Sequence, residues 1–225
     1  MVNTDDYTGS TQGKRIACLQ SFITPQRFAR YQEVIANRTR FLTIVLEDIY
    51  QTHNASAVLR TCDCFGVQDV HIIENRNKYQ VNPDVALGSS KWLNLITYSG
   101  TENNTVKCLG KLKKNGYQII AATPHRNSYT PETLPLDKKT ALLFGTELTG
   151  LTREALDLAD DSVKIPMVGF TESLNISVSV AIFLQALAQR IRSGPVPWKL
   201  TEEEQNSILL HWLQQSVNIP ETEVK

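Results

Sequence analysis

The sequence predicts an α/β protein with a mostly parallel sheet and helices on both faces. Short apolar segments of strand character alternate with helical patterns along the chain. This alternation is typical of parallel sheets whose strands are joined by crossover helices. The hydrophobic content of 41% and charged content of 20% are those of a globular protein. A chain of 225 residues is also long enough to bury a large core without disulfides.

The N-terminal stretch over residues 1–13 is polar and rich in Gly, Thr and Asp, which predicts a disordered tail. Residues 14–225 are then expected to form one domain with helical extensions at its N- and C-terminal ends. Thr24 and Pro25 predict the start of the first helix, because threonine caps helix N-termini and proline is favoured in the first turn.

The apolar and β-branched run Phe41-Leu-Thr-Ile-Val-Leu46 predicts a buried strand. The helix expected next, from about Asn54 to Phe65, ends at Gly66, which suits a left-handed stop. Further strands are predicted over residues 67–73, 93–98, 117–122, 140–144 and 162–165. Further helices are predicted over residues 101–115, 151–159, 175–192 and from 201 onward.

Composition excludes several classes of protein. No apolar run approaches the roughly 20 residues that a membrane-spanning helix needs. The polar N-terminus is unlike a secretory signal, so a cytoplasmic location without membrane contact is expected. The four cysteines lack zinc-ribbon or redox spacing, which predicts reduced thiols and no bound metal.

The formal net charge is zero, but the stretch from Lys14 to Arg40 contains six basic residues and only one acidic residue. Such a basic arm is either a solvated surface or a contact for RNA.

In a parallel sheet, ligands bind at the carboxyl ends of the strands, where the loops here follow Leu46, Ala122, Phe144 and Ile165. The loop Gly145-Thr-Glu-Leu-Thr-Gly-Leu-Thr152 matches a phosphate-binding P-loop except that Leu151 replaces the lysine. Glu147 also places a negative charge where an anion would lie. A ligand with a sugar hydroxyl or a cationic centre is therefore favoured over a nucleoside triphosphate. An ordinary strand-to-helix turn is the alternative.

Two more segments contain polar residues beside predicted helix starts. In Ile165–Ser177, Asn175 has the position of an N-cap and Ser173 that of a loop hydroxyl. In the helix that begins near Asn54, Arg60 is flanked by apolar residues. Arginine is rarely buried without a partner, so Arg60 is either a functional residue or one half of a salt bridge to Asp63 or Asp48.

Together these segments resemble the three motifs of the SpoU/TrmH family of SPOUT RNA 2′-O-ribose methyltransferases, in the same order and with the same spacing. The matching motifs are Asn54-x5-Arg60-Thr61-x4-Gly66, Phe144-Gly-Thr-Glu147-Leu-Thr-Gly150-Leu151 and Ile165-Pro-Met-x-Gly169-x3-Ser173-Leu-Asn175-Ile-Ser177. The resemblance runs from about Thr24 to Trp212. It is greatest to the TrmH branch, the tRNA (guanosine-2′-O)-methyltransferases.

The resemblance implies the SPOUT fold with a deep trefoil knot in the C-terminal half of the sheet. It also implies S-adenosyl-L-methionine as the cofactor. The cofactor contacts it implies, mostly through the main chain around the adenosine, are Thr123, Gly145, Ile165 and Leu174. The catalytic residues it implies are Arg60, Asn54, Glu147, Ser173 and Asn175. In the family Arg60 would activate the ribose hydroxyl. Because arginine stays protonated in proteins, stabilising the developing alkoxide or holding the neighbouring phosphate is the chemically easier role.

The resemblance further implies a homodimer in which Arg60 and the cofactor come from different subunits, and tRNA or another structured RNA as the partner. The residues expected to contact RNA phosphates are Arg27, Arg30, Arg38, Arg190 and Arg192. A tRNA is expected rather than ribosomal RNA, because only about fifty residues precede Asn54, too few for the separate RNA-binding domain that ribosomal members often carry. The resemblance to the TrmH branch implies the D-loop guanosine at tRNA position 18 as the target. The alternatives are a ribosomal RNA 2′-O-methyltransferase and a catalytically silent RNA-binding relative.

Overall fold

The computed structural model describes residues 11–80, 88–125 and 129–217. Within these ranges the chain divides into two compact units. One contains residues 39–198, and the other contains residues 11–38 and 199–217. The segments predicted as helical extensions belong to the second unit. The first ten residues of the predicted tail lie outside the described residues.

The larger unit contains a six-stranded sheet in which every pairing is parallel. Its strands are β1 Leu42–Glu47, β2 Asp69–Glu74, β3 Asn94–Ser99, β4 Tyr117–Ala122, β5 Lys139–Phe144 and β6 Asp161–Val163. Their order across the sheet is β3-β2-β1-β5-β4-β6. The predicted mostly parallel sheet is confirmed, and the trefoil knot stays a prediction.

Helices connect these strands, as the alternating pattern predicts. In the described part of this unit they are α3 Thr52–Cys64, a 3-10 helix Ser89–Trp92, α4 Asn104–Lys114, α5 Arg153–Leu158 and α6 Ile176–Ser193. The short 3-10 helix was not predicted from the sequence. Left-handed glycines follow two of the helices at the expected places, Gly66 with φ 76° and Gly116 with φ 81°.

Apolar side chains cover both faces of the sheet, because successive residues of a strand point to opposite faces. On one face, Ile44 of β1 belongs to the same apolar cluster as Val58 of α3 and Leu184 of α6. On the other face, Val45 belongs to a cluster with Leu109 of α4. The prediction of helices on both faces is therefore confirmed.

The described part of the smaller unit contains three helices: α1 Thr11–Gln20, α2 Pro25–Ile35 and α7 Glu202–Val217. Thr24 caps α2, as predicted, by accepting a hydrogen bond from the backbone N–H of Arg27. At the start of α7, Thr201 and Glu204 accept hydrogen bonds from each other's backbone N–H groups, a capping box.

Helix α1 corrects the sequence prediction in two ways. The sequence predicted no helix there, and residues 11–13, which were assigned to the disordered tail, form its first turn. The helix buries Ile16 and Leu19 almost completely and packs against α7. Long-range packing of this kind outweighs a weak local helical pattern.

Arg38 also corrects a prediction. It was expected on the RNA-binding surface, but it is only 1% exposed and its guanidinium lies 5.3 Å from the ring centroid of Trp212. A cation over an indole ring is stabilised by the ring quadrupole. The ring of Trp212 also meets Tyr31 edge to face, with 5.8 Å between centroids. Arg38 therefore holds α7 in this unit, and its buried guanidinium is not available to a phosphate.

We predict that His71 makes the larger unit less stable in mild acid. His71 of β2 is 6% exposed, and burial lowers its pKa from 6.5 to about 4 despite the opposing charge of Asp69. The unfolded chain therefore binds a proton more readily than the folded one between these values. The contribution of neutral His71 to the free energy of unfolding is fully present above pH 6.5. It falls by about 3 kcal/mol in all as the pH drops toward 4.

The measurement is the free energy of urea unfolding from pH 7.5 to 4.5 for the native chain and His71→Phe. The native chain should lose more stability than the variant over this range. Parallel curves for the two proteins would contradict the prediction.

Candidate active site

A cavity of about 530 Å³ lies at the carboxyl ends of the C-terminal strands. The loops after β4, β5 and β6 and the start of α6 line it. All three loops were predicted from the strand ends as ligand sites. The sequence-predicted residues that line this cavity are Thr123, Gly145, Glu147, Ile165, Ser173 and Leu174. Segments that are far apart in the sequence therefore meet in one place.

The cavity wall is apolar in its interior and acidic in part of its rim. Phe144 and Phe183 form a tilted ring pair, with 5.8 Å between centroids, and both line the cavity. The carboxylates Glu147 and Glu172 also line it. Phe183 was not predicted from the sequence as a site residue, because an apolar residue within a long amphipathic helix has the same pattern as any core residue.

The Gly145 loop, residues Gly145–Leu151, closes on itself. The backbone N–H groups of Thr146 and Gly150 each donate a 3.0 Å hydrogen bond to the other residue's carbonyl oxygen. The hydroxyl of Thr146 also accepts the backbone N–H of Thr149, at 3.1 Å. A Cβ added to Gly145 would overlap the backbone of Gly150 and Leu151. Only glycine fits the first position of this loop, and Gly150, with φ 68°, closes it in the left-handed region.

Asn54 joins two of the ligand loops. It lies in the first turn of α3, is 4% exposed, and donates through Nδ2 to Glu147 Oε1 at 2.8 Å. Its Oδ1 accepts from Asn175 Nδ2 at 3.0 Å. The N-cap position of α3 is Gln51, so Asn54 does not cap this helix.

The same network fixes Asn175. Its Oδ1 accepts from the backbone N–H of Ser177 at 2.9 Å, so it caps α6 as predicted. A buried or half-buried amide network with all its partners in place holds each side chain in one orientation. Asn54 thus orients Glu147 and Asn175 through these hydrogen bonds.

Arg60 does not line this cavity, although it lies on the same helix as Asn54. Its side chain is exposed. Among the described residues Arg60 forms no ion pair with Asp63 or Asp48, so this alternative is excluded. The carboxylate of Asp48 accepts the backbone N–H groups of Asn75 and Arg76 instead, at 2.7 and 2.9 Å.

The remaining arginines predicted to contact RNA differ in their surroundings. Arg27 and Arg30 of α2 are exposed, and Arg30 pairs with Glu33 at 2.7 Å. In the larger unit, Arg190 donates to the carbonyl oxygen of Pro131 at 2.6 Å. Arg192 donates to the carbonyl oxygen of Phe65 at 2.8 Å, and its guanidinium lies over Trp198. Arg190 and Arg192 therefore already bind main-chain carbonyl groups within the chain.

Within the described ranges, no three His, Cys, Asp or Glu side chains lie close enough together to hold a metal ion. No helix in those ranges has the length and apolar character needed to cross a membrane. The cysteines Cys18, Cys62, Cys64 and Cys108 are free thiols.

We predict that Gly145→Ala weakens ligand binding in the cavity by about 10- to 100-fold, the effect of about 1–3 kcal/mol of overpacking strain. The added methyl group can be accommodated only if the Gly145 loop opens. Gly169→Ala is the matched control, because a Cβ at Gly169 meets no atom within 4 Å. Titration calorimetry with S-adenosylhomocysteine measures the affinity. Equal affinities in the two variants would disprove the role assigned to the loop.

Comparisons with known proteins agree with the motif resemblance. The model of the SpoU rRNA Methylase family matches residues 41–185. A curated relative from Borreliella burgdorferi, a tRNA (guanosine(18)-2'-O)-methyltransferase, is 47% identical over 204 residues, which cover 91% of this chain and 92% of the relative.

Two solved structures are similar in fold. The crystal structure of the Aquifex aeolicus TrmH/SpoU tRNA modifying enzyme has a TM-score of 0.74 and 31% identity, covering 85% of this chain and 97% of that one. The SpoU methyltransferase AviRb from Streptomyces viridochromogenes, solved with the cofactor AdoMet, has a TM-score of 0.61. The aligned region covers 72% of this chain and 65% of the AviRb chain, and at 20% identity the similarity shows the fold alone. The chain belongs to the SpoU methylase family.

Proposed function

We propose that this protein transfers a methyl group from S-adenosyl-L-methionine to the ribose 2′-hydroxyl of guanosine 18 in tRNA. The observation that carries the proposal is the hydrogen-bonded set Glu147, Asn54 and Asn175, which joins the three family motifs beside one cavity. The nearly full-length similarity to a tRNA (guanosine(18)-2'-O)-methyltransferase supports the choice of substrate.

The residues around the cavity fit this cofactor. About 530 Å³ is within the range of small-molecule sites. The rings of Phe144 and Phe183 offer an apolar wall for an adenine, and the carboxylates of Glu147 and Glu172 suit the positive charges of the amino and sulfonium groups. Thr123, Gly145, Ile165 and Leu174 are the residues we propose as cofactor contacts.

The cofactor supplies an electrophilic methyl group when it is bound. The protein's share is mainly to align the ribose oxygen with that methyl group, which can contribute about 7–11 kcal/mol. We assign this alignment to Glu147, Ser173 and Asn175. Asn54 holds the Glu147 carboxylate and the Asn175 amide in fixed positions through its two hydrogen bonds.

Arg60 is proposed to stabilise the alkoxide that develops on the ribose, or to hold the adjacent phosphate, because its guanidinium stays protonated. Its exposed position outside the cavity of its own chain favours a site completed by a second subunit. Val178 and Ile182 of α6, one helical turn apart, are 45% and 38% exposed and offer an apolar surface for that subunit. A homodimer is therefore part of the proposal.

The RNA surface is proposed to include Arg27 and Arg30, which are exposed on α2. Exposed arginines bind phosphates without reading sequence, so they would position the tRNA and leave the choice of nucleotide to the cavity. Arg190 and Arg192 contribute only if RNA displaces the carbonyl contacts they make within the chain. The cytoplasmic location and the trefoil knot expected from the sequence also belong to this proposal.

The proposal is tested by methyl transfer from labelled S-adenosylmethionine to an unmethylated tRNA transcript, with the product nucleoside identified after digestion. We expect 2′-O-methylguanosine from the native transcript and none from a transcript with adenosine at position 18. Arg60→Ala should lower the rate at least about 100-fold, because a charge that stabilises the transition state is lost. Its affinity for S-adenosylhomocysteine should stay unchanged.

Two other outcomes of this experiment would favour one of the alternative functions. Transfer to ribosomal RNA but not to tRNA would keep the chemistry and replace the substrate. No transfer to either RNA, together with no binding of S-adenosylhomocysteine, would favour the silent RNA-binding relative.

The two-subunit site gives a separate prediction. Co-expression of Arg60→Ala with Gly145→Ala produces mixed dimers in which one site combines an intact Gly145 loop with an intact Arg60 from the other chain. Activity should return to about a quarter of the native value in a random mixture, because half of the dimers are mixed and each has one complete site. If Arg60 acts within its own chain, the mixture stays as inactive as the separate variants.

A further inference from the structure

We propose that Glu47 is a positioning residue, which fixes the Gly145 loop at the carboxyl edge of the sheet without lining the cavity. Glu47 is the last residue of β1 and is 1% exposed. A carboxylate removed from water to this degree is stable only when hydrogen bonds replace its hydration. The donors that it accepts therefore show what it holds in place.

Two of the three hydrogen bonds to Glu47 come from one residue at the exit of the Gly145 loop. Thr152 donates its backbone N–H to Oε2 at 2.9 Å and its hydroxyl to Oε1 at 2.8 Å. The third donor is the hydroxyl of Thr105 in α4, at 2.7 Å. The carboxylate thus connects β1 with α4 and with the first residue after the loop.

Thr152 has a second role that depends on the same hydroxyl. Its Oγ1 accepts the backbone N–H of Ala155 at 3.1 Å, so Thr152 is the N-cap of α5. The hydroxyl therefore has a fixed orientation, donating to Glu47 and accepting from α5. Because Leu151 precedes it directly, the backbone that fills the space beside Gly145 is fixed by the same contacts.

The Gly145 loop is consequently held at two places by the segment that joins β1 to α3. Asn54 holds it through Glu147, and Glu47 holds it through Thr152. This segment continues along α3 to Arg60. Glu47 thereby fixes the cofactor side of the site relative to β1 and α3 of the same chain. The identity of the ligand in this inference rests on the proposed function.

The chain offers a matched pair of variants for the test. Thr152→Val removes the hydroxyl on the loop side of Glu47, and Thr105→Val removes the one on the α4 side. Each threonine hydroxyl also accepts one further hydrogen bond, from Ala155 N–H and from Asn75 Nδ2 respectively. The two losses are thus similar in kind, and Thr152→Ser restores the hydroxyl at the loop.

Two readouts besides activity are measured on each protein, with the thermal midpoint as a check of folding. The first is amide hydrogen exchange across residues 145–152 in the ligand-free protein, and the second is the affinity for S-adenosylhomocysteine. In Thr152→Val we expect faster exchange and an affinity about fivefold lower, the effect of about one lost hydrogen bond. Thr152→Ser should return both to native values. Thr105→Val should lower the thermal midpoint alone.

A double variant tests whether Thr152 acts through Glu47. Added to Glu47→Leu, Thr152→Val should speed exchange of the loop less than it does in the native chain, because its partner is already absent. Additive effects, or equal effects of Thr105→Val and Thr152→Val on the loop, would overturn the inference. If the native protein fails to bind S-adenosylhomocysteine, the proposed function is wrong, while the exchange measurements still decide the role of Glu47.

Discussion

The parallel pairing of β1 with β5 is the constraint on which the rest of the structure depends. Leu42 pairs with Thr140 at one end and Leu46 with Phe144 at the other, although these segments are far apart in the sequence. Because both strands run the same way, their carboxyl ends meet at the same edge. The next residues, Glu47 in one strand and Gly145 after the other, are therefore neighbours before any side-chain contact is made.

Polar contacts then convert this edge into a site of defined shape. A buried carboxylate and a buried amide are costly unless every partner is present. Glu47 and Asn54 find their partners in Thr152, Glu147 and Asn175, which belong to the ligand loops or follow them directly. A displaced loop would break these hydrogen bonds and leave Glu47 bonded only to Thr105 and Asn54 only to Gln51. The same residues that stabilise the fold thus make the site rigid.

The exposed position of Arg60, outside the cavity, is the reason for proposing that a second chain completes the site. Arg60 also has no acidic partner within the described residues. Exposed apolar residues lie on α6, the helix that also closes the cavity. In the proposed dimer, this apolar surface would be buried and the Arg60 guanidinium would complete the site at the partner's cavity. In the proposed dimer, catalysis would therefore depend on oligomerisation.

The sequence by itself determined the strands, most helices, the helix caps at Thr24 and Asn175, and the loops that line the cavity. Those features depend on local patterns, such as the apolar and β-branched run around Ile44, the Thr24 cap and the left-handed Gly66. Only the tertiary structure decided that Arg38 is buried under Trp212, that α1 is a helix, and that Asn54 bonds to Glu147. Each of these depends on a contact between distant segments, and such contacts leave no periodic signal along the chain.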